Sequence, residues 1–328
     1  MGKMHTLDRF YVLEFYGFHQ AKEDIYMDHL IIATASDGFL RAVALDSTET
    51  VREAQQRHQS WPVATAALGR TLSVAAMMGA SLKDKQHLTL RILGDGPVGA
   101  IVANADDSGI VRGYIQEPHV DLPPNALGKL DVGTAVGKGL LHVTKDLGLR
   151  TPFNGQVELV SGEIGDDFAQ YFWESEQLPS VVAVGVLVDP DQHVLAAGGY
   201  LIQILPGADE ELIEIVEKSV LDQPMITTML TEGYSPEAIL HILLDEVGLK
   251  ILERRDVRFQ CRCNRERLEQ TLISLGKEEL RDMIAVQGGA ELTCHFCREV
   301  YRFSIEELEG LIARLDATDD SSEEIPPQ

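Results

Sequence analysis

The chain has 328 residues, with 28 Lys and Arg against 52 Asp and Glu, a formal net charge of −24 and a sequence pI near 4.7. That balance opposes non-specific adhesion to nucleic acid or anionic lipid, and no run of about 18 apolar residues is present to span a membrane. With 45% hydrophobic and 24% charged residues, the composition is that of a globular protein long enough for two domains, or for one large domain with an appendage.

Residues 1–24, MGKMHTLDRFYVLEFYGFHQAKED, read as a variable leader of weak helical character. Asp8, Arg9 and Glu14 interrupt the apolar core that a signal peptide needs. The chain is therefore expected to stay in the cytoplasm, where thiols are kept reduced. DHLIIATASDGFLRAVALDST predicts a β-hairpin turned at Asp37-Gly38. TVREAQQRHQSWPVATAALGRTLSVAAMMGASL predicts two helices, the second opening on Pro62 and apolar on most faces, hence internal. HLTLRILGDGPVGAIVANADDSGIVRGYI predicts three strands, and GQVELVSGEI another. GDDFAQYFWESEQ predicts a helix with a Phe168–Tyr171–Phe172 face. SVVAVGVLVDPDQHVLAAGGYLIQILPG predicts a long hairpin turned at Asp189–Asp191. The pattern over residues 25–205 is α+β with mostly antiparallel strands.

After Pro206-Gly207 the texture changes. ADEELIEIVEKSVLDQ, PMITTMLTEG and SPEAILHILLDEVG predict three short amphipathic helices, the last capped by Ser235. Residues 206–254 are thus expected to be a helical linker. Its apolar positions Leu212, Ile213, Val216, Ile239, Leu240 and Leu243 need a partner surface, for which the N-terminal domain is the expected one. Residues 255–310 read as a small cysteine-bearing domain. Ten Lys and Arg stand against eight Asp and Glu over 254–303, a local +2. Residues 311–328 form an acidic tail, with DATDDSSEEIPPQ expected to be disordered.

Two glycine motifs are set aside. GDGPVG at Gly94–Gly99 has the spacing of a dinucleotide fingerprint, but β-prone AIVANA follows where a helix must begin. GTAVGKG at Gly133–Gly139 is one residue short of a phosphate loop and lacks its Ser or Thr. The chain has neither G-x-S-x-G nor H-E-x-x-H. His58 reads as a hydrogen-bonded core or cap residue. Nothing indicates a catalytic cleft, and the chain is expected not to be an enzyme.

The four cysteines are all in two tight pairs, Cys261–Cys263 in CRC and Cys294–Cys297 in CHFC. Two close pairs on separate segments match the logic of a tetrahedral four-cysteine zinc site closing a small domain, with one Zn2+ per chain. His295 is expected to be a neighbour rather than a ligand. A structural role is the simpler reading of such spacing. Two details favour a switch. Arg258, Arg262, Arg265, Arg267, Arg298 and Arg302 crowd the thiols, and positive charge favours the reactive thiolate; equally, they offset the charge of a four-thiolate complex. A disulfide across C-x-C closes a strained and therefore labile ring.

RHQSWPVATAALGRTLSVAAMMGASLK, LGDGPVGAIVANAD, GKLDVG, KDLGLRTPFNGQVELVSGEIGDDFAQYF, VGVLVDPD, LAAGGYLIQILPG and VRFQCRCNRERLE…CHFC together make the chain resemble the heat shock protein 33 family, the redox-regulated bacterial 33 kDa chaperonins, over about residues 25–315. The leader and the acidic tail depart from the family. The resemblance implies an ATP-independent holdase that is inactive while zinc sits on Cys261, Cys263, Cys294 and Cys297. It further implies disulfides Cys261–Cys263 and Cys294–Cys297 on oxidation, zinc loss, unfolding of the linker, homodimerisation and capture of unfolded client proteins. Two competing readings are a thiol–disulfide oxidoreductase using the C-x-C pair and a zinc-ribbon nucleic-acid binder. The overall −24 speaks against the second, and thiols held by zinc are unavailable for the first.

Overall fold

The computed structural model describes residues 27–322; the leader and the last six residues lie outside them. Strands β1 (His29–Ala35) and β2 (Leu40–Asp46) form the expected hairpin. Asp37 takes a left-handed conformation in its turn, which Asp tolerates. Helices α1 (Thr48–His58) and α2 (Pro62–Gly79) follow. Next come β3 (His87–Gly94), β4 (Ala100–Asp106), β5 (Ile110–Ile115), α3 (Val132–Val136), β6 (Gly139–Asp146), β7 (Phe153–Glu158), α4 (Gly165–Ser175) and the hairpin of β8 (Ser180–Val188) and β9 (Val194–Ile204). Beyond it lie α5 (Glu210–Leu221), α6 (Ile226–Thr231), α7 (Pro236–Leu244), β10 (Lys250–Asp256) and β11 (Arg258–Phe259). The last elements are α8 (Arg265–Leu275), α9 (Lys277–Asp282), β12 (Ala290–Thr293), β13 (Val300–Phe303) and α10 (Ile305–Ser322).

The strands make a five-stranded sheet in the order β10-β1-β2-β9-β8, a six-stranded sheet in the order β11-β5-β4-β3-β6-β7, and the small β12-β13 ribbon. All neighbours are antiparallel except the two-residue pairing of β11 with β5. Helix α2 is a layer between the two large sheets, packing on β3–β5 of one and on β8 and β9 of the other. That position requires an apolar surface all round, and α2 buries every residue from Val63 to Gly79 except Arg70. Leu30, Ile32, Val43 and Leu45 of the first sheet meet Leu88, Leu90 and Ile92 of the second across it. The α+β expectation, mostly antiparallel, is met.

Residues 132–146, which sequence reasoning leaves unassigned, form α3 and β6. Glycines at 133, 137 and 139 obscure the periodicity there. They belong to a close backbone approach: a Cβ on Gly94 would lie 1.9 Å from the Val136 carbonyl oxygen, and one on Gly96 2.3 Å from that of Ala135. The two glycine motifs therefore pack against each other. Strand β4 follows GDGPVG, so the dinucleotide geometry is absent there.

Helices α5–α7 stand where the sequence places them, with Asp209 and Ser235 accepting backbone N–H bonds at their starts from Leu212 and Ala238. Leu212, Val216, Ile226, Met229, Ile239, Leu240, Leu243 and Leu244 cover the outer face of the first sheet, on Ile31, Ala33, Leu40, Ala42 and Ile202. The stretch 206–254 is not helical throughout. Its end, Lys250–Asp256, becomes the edge strand β10 on β1, a pairing that local pattern cannot reveal because KILERRD is charged and short. At the other end of the chain, α10 continues to Ser322 through the acidic stretch expected to be disordered.

Candidate metal centre

Each cysteine pair sits in a turn at the end of an ordered element. Cys261 and Cys263 follow β11, after which Asn264 caps α8 by accepting from the Arg267 N–H at 2.9 Å. Cys294 and Cys297 lie in the connection between β12 and β13. That connection is closed by Arg298 N–H to Cys294 O at 2.8 Å and Cys294 N–H to Glu299 O at 2.9 Å. These main-chain bonds close the C-x-x-C turn that carries both sulfurs.

The four sulfurs lie within 4.8 Å of one another, with Cys261–Cys294 at 3.7 Å and Cys263–Cys297 at 3.3 Å. Tetrahedral thiolates at about 2.3 Å from a zinc ion would be ~3.8 Å apart, so the set has the right size and donor chemistry for a four-thiolate metal site. His295 is not among these donors; its ring is 5.9 Å from that of Tyr114, as expected of a neighbour. The Tyr301 hydroxyl lies 3.3 Å from Cys263 Sγ, placed to donate to a thiolate there, and Arg112 Nη1 is 3.9 Å from Cys261 Sγ. Such outer donors orient thiolates and stabilise their charge.

The thiols are electrostatically unequal. Burial works against the Cys261 thiolate, but the Cys263 backbone N–H and the neighbouring thiols more than offset it and bring Cys261 down to about 7. Burial pushes the Cys297 thiol up instead.

The surrounding domain has a small core of its own: Leu272, Leu280, Ala290, Phe303, Leu308 and Leu311. So little buried surface needs a staple, and a four-thiolate ion is one. The domain is also tied to the sheets. His58, buried at the end of α1, places Nε2 3.0 Å from Gly113 O and 3.1 Å from Phe296 O. Both partners only accept, so Nε2 carries the proton; burial lowers the pKa of His58 and keeps the ring neutral. Arg57 donates to Cys297 O at 3.3 Å. Arg262 donates to the buried carboxylate of Asp106, and Arg112 stacks 4.4 Å over the Phe296 ring.

The arginines that crowd the cysteines in sequence mostly point elsewhere. Arg262 goes to Asp106, Arg265 to Glu307 and Arg302 O, Arg267 to Arg262 O, Arg302 to Glu291, and Arg258 to Gln260. Among the described residues, the guanidinium that reaches a sulfur is that of Arg112, on β5 about 150 residues upstream. No local signal could have found it, nor Asp106, because only the fold brings Arg112 to Cys261 and Asp106 to Arg262.

A family model described as Hsp33 protein matches residues 28–304. The 33 kDa chaperonin of Desulforamulus reducens is 51% identical over 292 residues, covering 89% of this chain and 99% of that one. The 33 kDa chaperonin of Geobacillus kaustophilus is 52% identical over 285 residues, covering 87% and 97%. The crystal structure of the 33 kDa chaperonin (heat shock protein 33 homolog) of Thermotoga maritima superposes with a TM-score of 0.83 at 39% identity, covering 89% of this chain and all of that one. A matching family model over most of the described residues and half-identical relatives over nearly their full length lead to one conclusion: the chain belongs to the Hsp33 family.

Proposed function

We propose that this protein is a redox-regulated, ATP-independent holdase of the cytoplasm, a binding protein rather than an enzyme. Unfolding proteins are its clients, and Cys261, Cys263, Cys294 and Cys297 hold one Zn2+ in its inactive form. The observation that carries the reading is the sulfur cluster at the seam with the sheets, in a chain of this family. When bound, zinc supplies a cross-link and no redox chemistry.

The chain's own residues do the rest. Two thiols give up two electrons and two protons to hydrogen peroxide, which leaves as two waters, and one S–S bond forms. A disulfide sulfur no longer serves as a thiolate ligand. In this reading Cys261 pairs with Cys263 and Cys294 with Cys297, the staple is lost, and the small core comes apart. Arg57, His58 and Asp106 then lose their partners across the seam. Helices α5–α7, each of 12 residues or fewer, are marginal on their own in water. They are expected to leave the first sheet, baring two complementary apolar faces to clients while two copies associate. The charge of −24 keeps the opened form soluble.

The test is an aggregation assay on a thermally unfolding protein, with reduced and peroxide-treated samples side by side and no nucleotide. Suppression by the oxidised sample alone is the expected result. Equal activity of both, or of neither, removes the reading. Catalytic turnover of a disulfide substrate would favour an oxidoreductase instead.

A further inference from the structure

Strand β10 is the outermost strand of the five-stranded sheet. It pairs antiparallel with β1 from His29↔Asp256 to Thr34↔Lys250, with an irregularity at Ile32/Ala33. Six of its seven residues are exposed, and Arg255 is the one whose side chain is largely covered. What holds it is main-chain hydrogen bonding, helped by a 3.8 Å pairing of Arg254 with Glu237. β1 is the opposite: every residue but Thr34 is buried. Leu30 and Ile32 anchor it in the core between the sheets, and Ile31, Ala33 and Ala35 in the outer one. Removing β10 therefore leaves β1 fixed by β2 and by Leu30 and Ile32 in the core between the sheets, with a preformed row of unpaired N–H and C=O groups.

The chain makes such removal part of the same event as loss of the cysteine domain. β10 runs straight into β11, whose pairing with β5 is two residues long, and β11 ends two residues before Cys261. On its other side, β10 follows α7. Both neighbours are elements expected to come loose on oxidation.

We propose that the β1 edge vacated by β10 captures an extended segment of an unfolded client as an added antiparallel strand; this rests on the holdase reading above. The resident strand shows what the edge accepts: an extended backbone held chiefly through its main chain, since KILERRD is paired with six of its seven residues exposed. An edge read through main-chain bonds takes segments of any sequence able to extend, which suits capture of many unrelated unfolded proteins. The outer face next to it, Ile31, Ala33 and Leu40, is the one that α7 now covers. Apolar side chains of the added strand would find that surface as α7 leaves.

Hydrogen exchange of the full-length protein tests this, with reduced, carboxymethylated α-lactalbumin as a permanently unfolded client. In an antiparallel sheet, amides alternate between the two neighbours. About half of the β1 amides should thus exchange at least ~100-fold faster after oxidation and slow again when client is added. A synthetic KILERRD peptide should compete with client, and the same peptide N-methylated at alternate residues should not. Client captured while these amides stay fast overturns the proposal and leaves the holdase reading standing. So does edge protection that depends on protein concentration without client, which would put a second copy on the edge. Edge amides that never loosen on oxidation overturn it too, and absence of any capture overturns both.

Discussion

The Nε2 of His58 lies 3.1 Å from the carbonyl oxygen of Phe296, the residue between His295 and Cys297 in the C-x-x-C turn. A buried ring at the end of α1 thereby senses whether that turn keeps its shape. Replacing His58 with Ala leaves the carbonyls of Gly113 and Phe296 without a donor in a closed site, at about 1–3 kcal/mol. We expect a lower urea midpoint for the reduced protein and faster loss of thiols to a fixed dose of peroxide. A His58→Ala variant oxidised no faster than the parent would show that the turn holds without the sheets.

Asp106 makes the second tie. Its carboxylate accepts from Arg262 and also from the Ser108 and Ile110 backbone N–H groups. Burial alone would raise its pKa, but the Ser108 bonds, the Arg262 charge and the Ile110 N–H together pull it below the usual carboxylate range. Asp106→Asn keeps the shape and removes the charge. Arg262 is partly exposed, so solvent screening limits the loss to about 1 kcal/mol. Hydrogen exchange should report earlier opening of residues 258–263, with the sheets unchanged. Equal protection there would place the tie elsewhere.

Much of this architecture was legible in local patterns. The β1–β2 hairpin shows as two apolar runs about an Asp37-Gly38 turn, α2 as a long apolar stretch opening on Pro62, and α5–α7 as short amphipathic segments. The metal site was legible because all four donors sit in two short motifs. What the sequence hid was long-range. Arg112 carries no motif and reaches Cys261, and Asp106 reaches Arg262, only through the folded chain, while the arginines beside the cysteines satisfy other partners. Strand β10 was hidden for a related reason: it forms by pairing with a strand more than 200 residues away, not by a preference of its own sequence.

The ligand set is tested one residue at a time. Metal analysis of the reduced protein should give one zinc per chain, and Cys261→Ser or Cys297→Ser should weaken its retention against a chelator. Structural zinc contributes about 10–16 kcal/mol in zinc-finger peptides, more than a typical domain's whole stability. Each variant should therefore also loosen residues 255–310. Parent-like retention in all four single variants would remove the four-thiolate site.

For the oxidised protein we expect Cys261–Cys263 and Cys294–Cys297 bonds, because thiols near in sequence meet fastest once the metal has left. The folded arrangement sets the contrary expectation, since Cys261 faces Cys294 and Cys263 faces Cys297. Peptide mapping after mild peroxide treatment separates them. Cross-links between the two motifs would mean that the folded arrangement of the sulfurs, not nearness in sequence, sets the pairing, and the assignment would be wrong.

Asp28 gives a pH dependence with a definite sign. It is 5% exposed and accepts from the backbone N–H groups of Glu49 and Thr50 at the start of α1. Burial nevertheless dominates those bonds and raises its pKa from 3.8 to about 6. A carboxyl with a raised folded pKa binds more protons in the native state than in the unfolded one between those two values. Native stability therefore falls as pH rises through that window, by roughly 2–3 kcal/mol in all. Asp28→Asn should abolish that slope, so its stability relative to the parent should climb between pH 4 and pH 7. A difference that stays flat with pH would mean that the N-terminus of α1 compensates the buried charge fully.

The final expectation concerns the covered face of the first sheet. Leu240 is completely buried, with Ile239 and Leu243, against the strands that α7 covers. Leu240→Ala removes three carbons and leaves a cavity, which costs about 2–5 kcal/mol in a packed core. Here the loss falls on a nine-residue helix that is marginal without its packing. It should therefore appear as local opening of α5–α7 and not as global unfolding, since α2 and the core between the sheets are untouched. If those helices gate client capture, the reduced variant should suppress aggregation without peroxide while keeping its zinc and all four thiols. Leu88→Ala, in the core between the sheets, is the control: it should lower global stability without releasing activity. Were reduced Leu240→Ala to show open helices by hydrogen exchange and no holdase activity, the face under α7 would not be where clients bind.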